Sequence, residues 1–161
     1  MTEGRALMLV LAAVAAAACG QTSSPSSQSG TKAAIVSSQQ VEARTRGHPT
    51  VLLFTAQGCA SCVAEVQALK DAASGRSEVR LVGVDVDSSD TPKALAAYVE
   101  DIGLQSSGFL WMIDSDNVLA RRYAISSLSS TVFLDSSGEA KFVNQGPLDS
   151  STYGQQLSAL H

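Results

Sequence analysis

Two cysteines separated by two residues, Cys59 and Cys62, lie between an apolar run and a helix-like stretch of the sequence. The apolar run, Val51 to Phe54, is typical of a buried strand, and the stretch from Val63 to Lys70 is typical of a helix. A helix N-terminus favours the thiolate form of a nearby cysteine. A C-x-x-C pair at a strand–helix junction therefore indicates dithiol–disulfide redox chemistry.

The first part of the chain has the pattern of an export signal. Leu7 to Ala18 is apolar without interruption, which is too short to span a bilayer comfortably but fits the h-region of a secretory signal. Small residues directly precede Cys19, an arrangement that resembles the lipobox of bacterial lipoproteins. We therefore predict a lipoprotein-type signal peptide over residues 1–18 and lipidation of Cys19. The alternative is an ordinary cleaved signal with a spare cysteine nearby.

The segment after Cys19 is almost entirely Ser, Gln, Thr, Pro and Gly from Gln21 to Gly30. Such a composition cannot bury a core and is typical of a flexible tether. We predict a tether over residues 19–33 and one domain over residues 34–161, held outside the cytoplasm at the cell membrane, or otherwise secreted or periplasmic. The net charge of −4 is accompanied by no basic stripe, so nucleic-acid binding is not expected.

Cys59 and Cys62 are then the only thiols of the mature domain. An exported domain lies in an oxidising compartment, where a structural disulfide gains most by closing a long loop. A bridge across two intervening residues gains little, so a redox role is favoured over a stabilising one. Neither a cofactor nor a metal is predicted.

Strand and helix patterns alternate along the domain, which predicts an α/β sandwich with parallel central strands and helices on both faces. A Ser-Ser-Gly turn near the C-terminus predicts an antiparallel hairpin at one sheet edge. The predicted strands are Val51–Thr55, Val79–Val86, Phe109–Ile113, Thr131–Leu134 and Ala140–Asn144. The predicted helices are Cys59 to about Ala73; Pro92 to about Ile102, capped by Thr91; Asp116–Tyr123, capped by Asp114, Ser115 or Asp116; and a last helix towards Leu160, capped by Asp149 or Ser150.

The domain resembles the extracytoplasmic thioredoxin-fold proteins of the TlpA/ResA type, from about Gly47 to the C-terminus. The resemblance rests on the entry into the first central strand, on Cys59-x-x-Cys62-x-x-Glu65, and on three further segments: Val82–Asp87, Tyr123–Ile125 and Ser130–Gly138. It implies a thioredoxin-like fold and a membrane-tethered thiol–disulfide oxidoreductase. Its expected partners are protein thiols or disulfides and a membrane thiol that donates or accepts electrons. Relatives of this type are often reductants.

Two departures from the family pattern lie close to the predicted site. Gly58 stands where the family usually has tryptophan, and Ser129 stands where a cis-proline is expected. A cis bond before a non-proline residue costs about 2.5–4 kcal/mol, so we expect the Leu128–Ser129 bond to be trans. The loop of Leu128, Ser129 and Ser130 is the candidate for substrate contact.

The chemistry assigns different roles to the two cysteines. Cys59, at the helix N-terminus, is predicted to be the exposed nucleophile that forms a mixed disulfide, and Cys62, one turn further on, the buried resolving thiol. Glu65 is predicted to be a buried carboxylate with a raised pKa that exchanges a proton with Cys62. The alternative is a solvated Glu65 on the helix surface.

Two other functions are compatible with the sequence. Without a proline over the site, two thiolates could hold a soft metal ion, although the mature domain offers only Met112 and two distant histidines as further soft or imidazole ligands. The second is a redox-inactive binding protein that keeps the thioredoxin scaffold, which Gly58 and Ser129 favour. His48 and His161 have no reason to pair with Cys59, so a Cys–His hydrolase is not expected.

Overall fold

The structure, a computed structural model, describes residues 32–160. The predicted signal peptide, the lipidation site at Cys19 and most of the tether lie outside the described residues, as does His161. Within them, no helix is long and apolar enough to cross a membrane. The strands are β1 Ala34–Ile35, β2 Thr50–Thr55, β3 Arg80–Asp85, β4 Leu110–Ile113, β5 Ser130–Leu134 and β6 Ala140–Asn144; the helices are α1 Ser38–Thr45, α2 Ala60–Ala72, α3 Pro92–Asp101, α4 Val118–Arg122 and α5 Ser150–Ala159.

The strands form one six-stranded sheet in the order β1-β4-β3-β2-β5-β6. The pairs β1–β4, β4–β3 and β3–β2 are parallel, whereas β2–β5 and β5–β6 are antiparallel. The predicted sandwich, with parallel strands in the centre and an antiparallel C-terminal hairpin, is confirmed. Because β2 and β3 run in parallel, their carboxyl ends lie at the same sheet edge, and Cys59 follows β2 at that edge.

Each face of the sheet has its own core. On one face, α2, α3 and α5 pack through Val66, Leu95 and Leu157 among others. On the other face, a smaller cluster includes Val41 of α1, with Leu119 of α4 packed against it. Alternate side chains of the fully buried strand β2 supply both clusters, which is why its sequence is apolar without alternation.

Trp111 fixes one contact across the larger core. Its side chain is 1% exposed and stacks on Phe109 at a centroid distance of 5.6 Å. Gly83 lies opposite it on β3, and a Cβ atom at Gly83 would overlap the indole ring. Glycine at residue 83 is therefore required by the close approach of the ring and not by the backbone conformation. Both rings belong to the larger core.

Side-chain capping explains where α3 and α5 begin. Thr91 accepts from the backbone N–H of Ala94 and Pro92 opens α3, as predicted. Asp149 accepts from Thr152 and caps α5, also as predicted. The expected start of α4 is wrong: its N-cap is Asn117, which makes no side-chain cap. Asp114, three residues before Asn117, still pairs with free N–H groups at the start of α4. Its carboxylate accepts from the N–H groups of Leu119 and Ala120.

Candidate active site

The two cysteines lie at the start of α2 and are joined by a disulfide. Cys59 is the N-cap residue, and its sulfur accepts from the backbone N–H of Cys62 at 3.2 Å. Cys59 is partly exposed, whereas Cys62 is 1% exposed. One sulfur is thus accessible at the positive end of a helix dipole, and the other lies beneath it in the protein.

Gly58 precedes the cysteine pair and has φ +76°. Nothing lies within 4 Å of a Cβ atom built there, so the backbone angle and not a lack of space favours glycine. A side chain such as tryptophan would be strained at this φ. The departure from the family pattern at Gly58 therefore follows from the turn that leads into α2.

Ser129 lies opposite the cysteines, at the start of β5, and is 1% exposed. Its φ is +61°, and its backbone N–H donates to the carbonyl of Phe54 at 2.9 Å. There is no cis peptide bond among the described residues, so the Leu128–Ser129 bond is trans, as expected. Proline cannot replace Ser129 in this conformation, because its ring fixes φ near −65° and it has no N–H to donate.

Two hydroxyl groups connect the sulfurs on this side of the site. Ser129 donates through Oγ to Cys62 Sγ at 3.4 Å, in a buried contact. Ser61 Oγ lies 3.3 Å from Ser129 Oγ and 3.4 Å from Cys59 Sγ. Neither contact was predicted from the sequence, which placed Ser129 only in a candidate substrate loop.

The rest of the predicted substrate loop divides into a structural and an exposed part. Ser130 is fully buried; its hydroxyl donates to the carbonyl of Ser127 at 2.7 Å and accepts from the N–H of Gly146 at 3.1 Å. Leu128 is 39% exposed. Ser130 therefore braces the loop, and Leu128, which directly precedes Ser129, is the large apolar side chain that the loop exposes to solvent.

Glu65 is buried, at 6% exposure, so the alternative of a solvated helix-surface Glu65 is wrong. Its carboxylate accepts from the Tyr153 hydroxyl at 2.5 Å and from the backbone N–H of Leu148 at 3.3 Å. Thr131 Oγ1 lies 3.2 Å from the same Tyr153 oxygen. Burial, and then the hydrogen bond to Glu65, raise the pKa of Tyr153 strongly, so the phenol stays a donor at any ordinary pH.

A second buried carboxyl, Asp85, lies at the end of β3 at the same sheet edge as the cysteines. Burial, and then Asp90, raise the pKa of Asp85 to about 7, against the opposing effect of the Asp87 backbone N–H. One carboxyl oxygen of each of Asp85 and Asp90 has no hydrogen-bond partner among the described residues. A proton shared between the two carboxyls would satisfy both oxygens.

Over residues 32–160, other titratable side chains such as His48 and Asp87 have partners away from the thiols. His48 pairs with Arg80, at 3.3 Å between Nε2 and Nη2. Asp87 caps a turn by accepting from the N–H and hydroxyl of Ser89. Across residues 32–160, no group of three His, Cys, Asp or Glu side chains is arranged to hold a metal ion. The metal-binding alternative thus finds no third ligand of these types beside the two cysteines.

A sheet with parallel central strands, an antiparallel hairpin and a C-x-x-C pair at a helix N-terminus defines the thioredoxin-like class of protein. The sequence matches the AhpC/TSA family over residues 21–143, which is more than half of the chain. The chain therefore belongs to the AhpC/TSA family of thioredoxin-fold proteins. The comparison with curated proteins gives no match.

Solved structures agree with this fold. A secreted disulfide oxidoreductase of Mycobacterium tuberculosis, described as homologous to E. coli DsbE, is similar with 27% identity and a TM-score of 0.59, over 73% of this chain and 86% of that one. DsbF of M. tuberculosis has 24% identity and a TM-score of 0.62, over 73% and 84%. The exposed lipoprotein thioredoxin of Streptococcus pneumoniae has 19% identity and a TM-score of 0.60, over 73% and 89%.

Proposed function

We propose that the protein is an extracytoplasmic thiol–disulfide oxidoreductase of the TlpA/ResA type that reduces disulfides in other proteins. The observation that carries this proposal is the unequal burial of two bonded cysteines at a helix N-terminus. Cys59 is partly exposed and accepts from a helix N–H, and Cys62 is buried one turn further on. A thiol that attacks and a thiol that resolves need this difference.

The reaction begins with the reduced dithiol. The Cys59 thiolate attacks one sulfur of a substrate disulfide, the substrate S–S bond breaks, and a mixed disulfide forms. Cys62 then loses its proton and attacks Cys59 Sγ, which forms the Cys59–Cys62 bond and releases the second substrate sulfur. The protein is oxidised by two electrons, the substrate is reduced by two, and the proton from Cys62 balances one taken up by the product thiolate.

Glu65 is the proposed proton partner of Cys62. It lies three residues further along α2, and its carboxylate is buried. In the disulfide state its oxygens are occupied by Tyr153 and Leu148. Reduction adds a proton to this interior, and Glu65 is the nearest acidic side chain in sequence that could take or supply it.

The setting of the reaction is proposed to be the outer side of the cell membrane. The apolar stretch before Cys19 supports export, and the lipobox-like sequence supports a lipid anchor at Cys19. One similar structure is itself named an exposed lipoprotein. A tethered reductant needs a membrane thiol that restores its dithiol after each turnover. The disulfide oxidoreductases among the similar structures support the same class of reaction.

Trapping tests the proposal directly. The variant Cys62→Ser, expressed as the full chain in a bacterial host, should leave Cys59 joined to its substrate protein as a stable mixed disulfide. Cys59→Ser is the matched control and should trap nothing through this site. If Cys59 is reactive towards small disulfides but no protein is captured, the protein-substrate proposal is wrong.

The reduction potential decides the direction of the reaction. A value near −270 mV, that of thioredoxin, supports a reductant, whereas one near −120 mV would identify an oxidant. The measurement is equilibration of the purified domain with a dithiothreitol couple. The release of the domain from membranes on replacing Cys19 with Ser tests the anchor separately.

A further inference from the structure

We propose that the Ser129 hydroxyl, supported by Ser61, is a positioning group that donates to the Cys62 sulfur, stabilises its thiolate and thereby speeds resolution of the mixed disulfide. This inference rests on the proposed oxidoreductase function. It adds Ser129 to the residues that act on the thiols, which in the sequence motif are Cys59, Cys62 and Glu65.

The first support is the contact itself. Ser129 Oγ lies 3.4 Å from Cys62 Sγ, and both residues are 1% exposed. Among the described residues, no other side chain makes a hydrogen bond to Cys62 Sγ, whose remaining partner is the covalent bond to Cys59. Water is excluded from a sulfur buried to this degree, so a thiolate there depends on the donors that the protein supplies.

The second support is that the Ser129 hydroxyl favours one state of Cys62 over the other. Ser61 Oγ lies 3.3 Å from Ser129 Oγ and is exposed, so it connects the buried pair to the surface and to Cys59 Sγ at 3.4 Å. A disulfide sulfur is a weak acceptor, whereas a thiolate accepts a charge-assisted hydrogen bond. The hydrogen bond from Ser129 is therefore stronger when Cys62 is a thiolate than when Cys62 is bonded to Cys59.

The third support is the strain at Ser129. A serine with φ +61° occupies the left-handed region, which disfavours residues with a side chain and is found where the surrounding structure demands it. Two bonds hold it there: its N–H donates to Phe54, and its hydroxyl donates to Cys62. Glycine would relieve the strain but would lack the hydroxyl. The loop is thus built to present a hydroxyl where its relatives are expected to present a proline.

The chemical step involves no new reactant. Cys62 Sγ, already deprotonated, attacks Cys59 Sγ; the Cys59–Cys62 bond forms, and the bond from Cys59 to the substrate sulfur breaks with its electron pair on that sulfur. Ser129 keeps its own proton throughout. Its hydrogen bond raises the fraction of Cys62 present as thiolate and holds the sulfur beside Cys59.

The test separates attack from resolution. The reduced protein is mixed with an aromatic disulfide whose thiol product is coloured. A first release of this thiol reports attack by Cys59, and a second release reports resolution by Cys62. Ser129→Ala should slow the second release about tenfold and leave the first unchanged. It should also shift the equilibrium with dithiothreitol about tenfold towards the protein disulfide, since the reduced form loses its donor.

Two further variants keep the outcome unambiguous. Ser129→Gly suits the positive φ and should fold, yet should show the same slow second release. Ser127→Ala removes an exposed hydroxyl from the same loop that bonds to Ser130 and not to a sulfur, and should behave as wild type. Wild-type rates and equilibria in both Ser129 variants would overturn the role of Ser129 and leave the oxidoreductase function standing. A wild-type protein with no second release would instead overturn the oxidoreductase function.

Discussion

Glu65 and Asp85 are both buried carboxyl residues on the face of the sheet that α2, α3 and α5 cover, and their surroundings differ. Glu65 receives hydrogen bonds from a phenol of α5 and from the backbone N–H that precedes that helix. Asp85 accepts one bond, from the Asp87 N–H, and its other oxygen has no partner among the described residues. The neighbour of Asp85 is a second acid, Asp90, whereas the neighbour of Glu65 is a hydroxyl donor.

The difference shows how one core can supply hydrogen-bond donors to one buried carboxyl and withhold them from another. Donors brought by α5 and the segment before it satisfy the carboxyl oxygens of Glu65, on the helix that carries the thiols. Burial and the neighbouring Asp90 oppose a charge on Asp85, whose pKa is raised to about 7. Near neutral pH, Asp85 at the end of β3 therefore holds a proton more readily than an aspartate on the surface does.

Removing the donor to Glu65 should have the largest effect on stability. In Tyr153→Phe the buried carboxylate loses its hydroxyl partner, and we expect the free energy of unfolding to fall by about 3 kcal/mol at pH 7. Urea unfolding of both proteins measures this. Tyr123→Phe, which removes a hydroxyl without a hydrogen bond in the described structure, is the control. Equal stability of wild type and Tyr153→Phe would show that Glu65 does not depend on this donor.

Removing the acid at the end of β3 should change how stability depends on pH. The folded pKa of Asp85, about 7, lies above its ordinary value of 3.8, so the folded state binds a proton that the unfolded state has released. This contribution is complete below pH 3.8 and is lost as pH rises to about 7. We expect wild type to lose about 2 kcal/mol over that interval relative to Asp85→Asn, which is about half of what the full shift would give, because coupling to Asp90 divides the proton between the two carboxyls.

Urea unfolding at several pH values checks this prediction. The pKa values of Asp135 and Asp149 are lowered by hydrogen bonds, first from Ser137 and Ser151 respectively, so these groups give the opposite slope in acid. The comparison between variants removes their effect. Asp116→Asn, at an exposed residue, should keep the wild-type slope. The same slope in Asp85→Asn would show that Asp85 titrates normally.

Removing the charge at Glu65 while keeping its shape should affect the thiol chemistry more than the fold. In Glu65→Gln the side chain can still accept from Tyr153 but cannot exchange a proton with Cys62. We expect the resolving step to slow about tenfold and its pH profile to change. Stopped-flow measurement of mixed-disulfide resolution across pH tests this, with Glu78→Gln as an exposed control. An unchanged pH profile would reject the proton role of Glu65.

Features that depend on neighbouring residues were predictable from the sequence. The start of α3 follows from Thr91 and Pro92, and the end of β2 and the start of α2 follow from an apolar run before Cys59.

The first two elements, β1 and α1, were not predicted. β1 has only two residues, and α1 buries only Val41, so neither produces a clear hydrophobic period. The capping box of Ser37 and Gln40 was the available signal for α1.

Features that depend on distant parts of the chain could not be predicted in the same way. The sequence placed Ser129 opposite the cysteines only through the family resemblance, and its contact with Cys62 joins residues 67 apart. Tyr153 and Glu65 are 88 residues apart, and nothing in the local sequence of α5 marks its tyrosine as a partner of a buried acid. The burial of Glu65 could be predicted from the motif, but its donors could not.

The close approach of Trp111 to Gly83 has a consequence for the order in which the sequence can change. Any side chain at Gly83 would collide with the indole while Trp111 is present, but a smaller residue at Trp111 would leave room for one. Substitutions at the two sites are therefore non-additive. A lineage that replaces the tryptophan first can afterwards accept alanine on β3, whereas the reverse order passes through a destabilised intermediate.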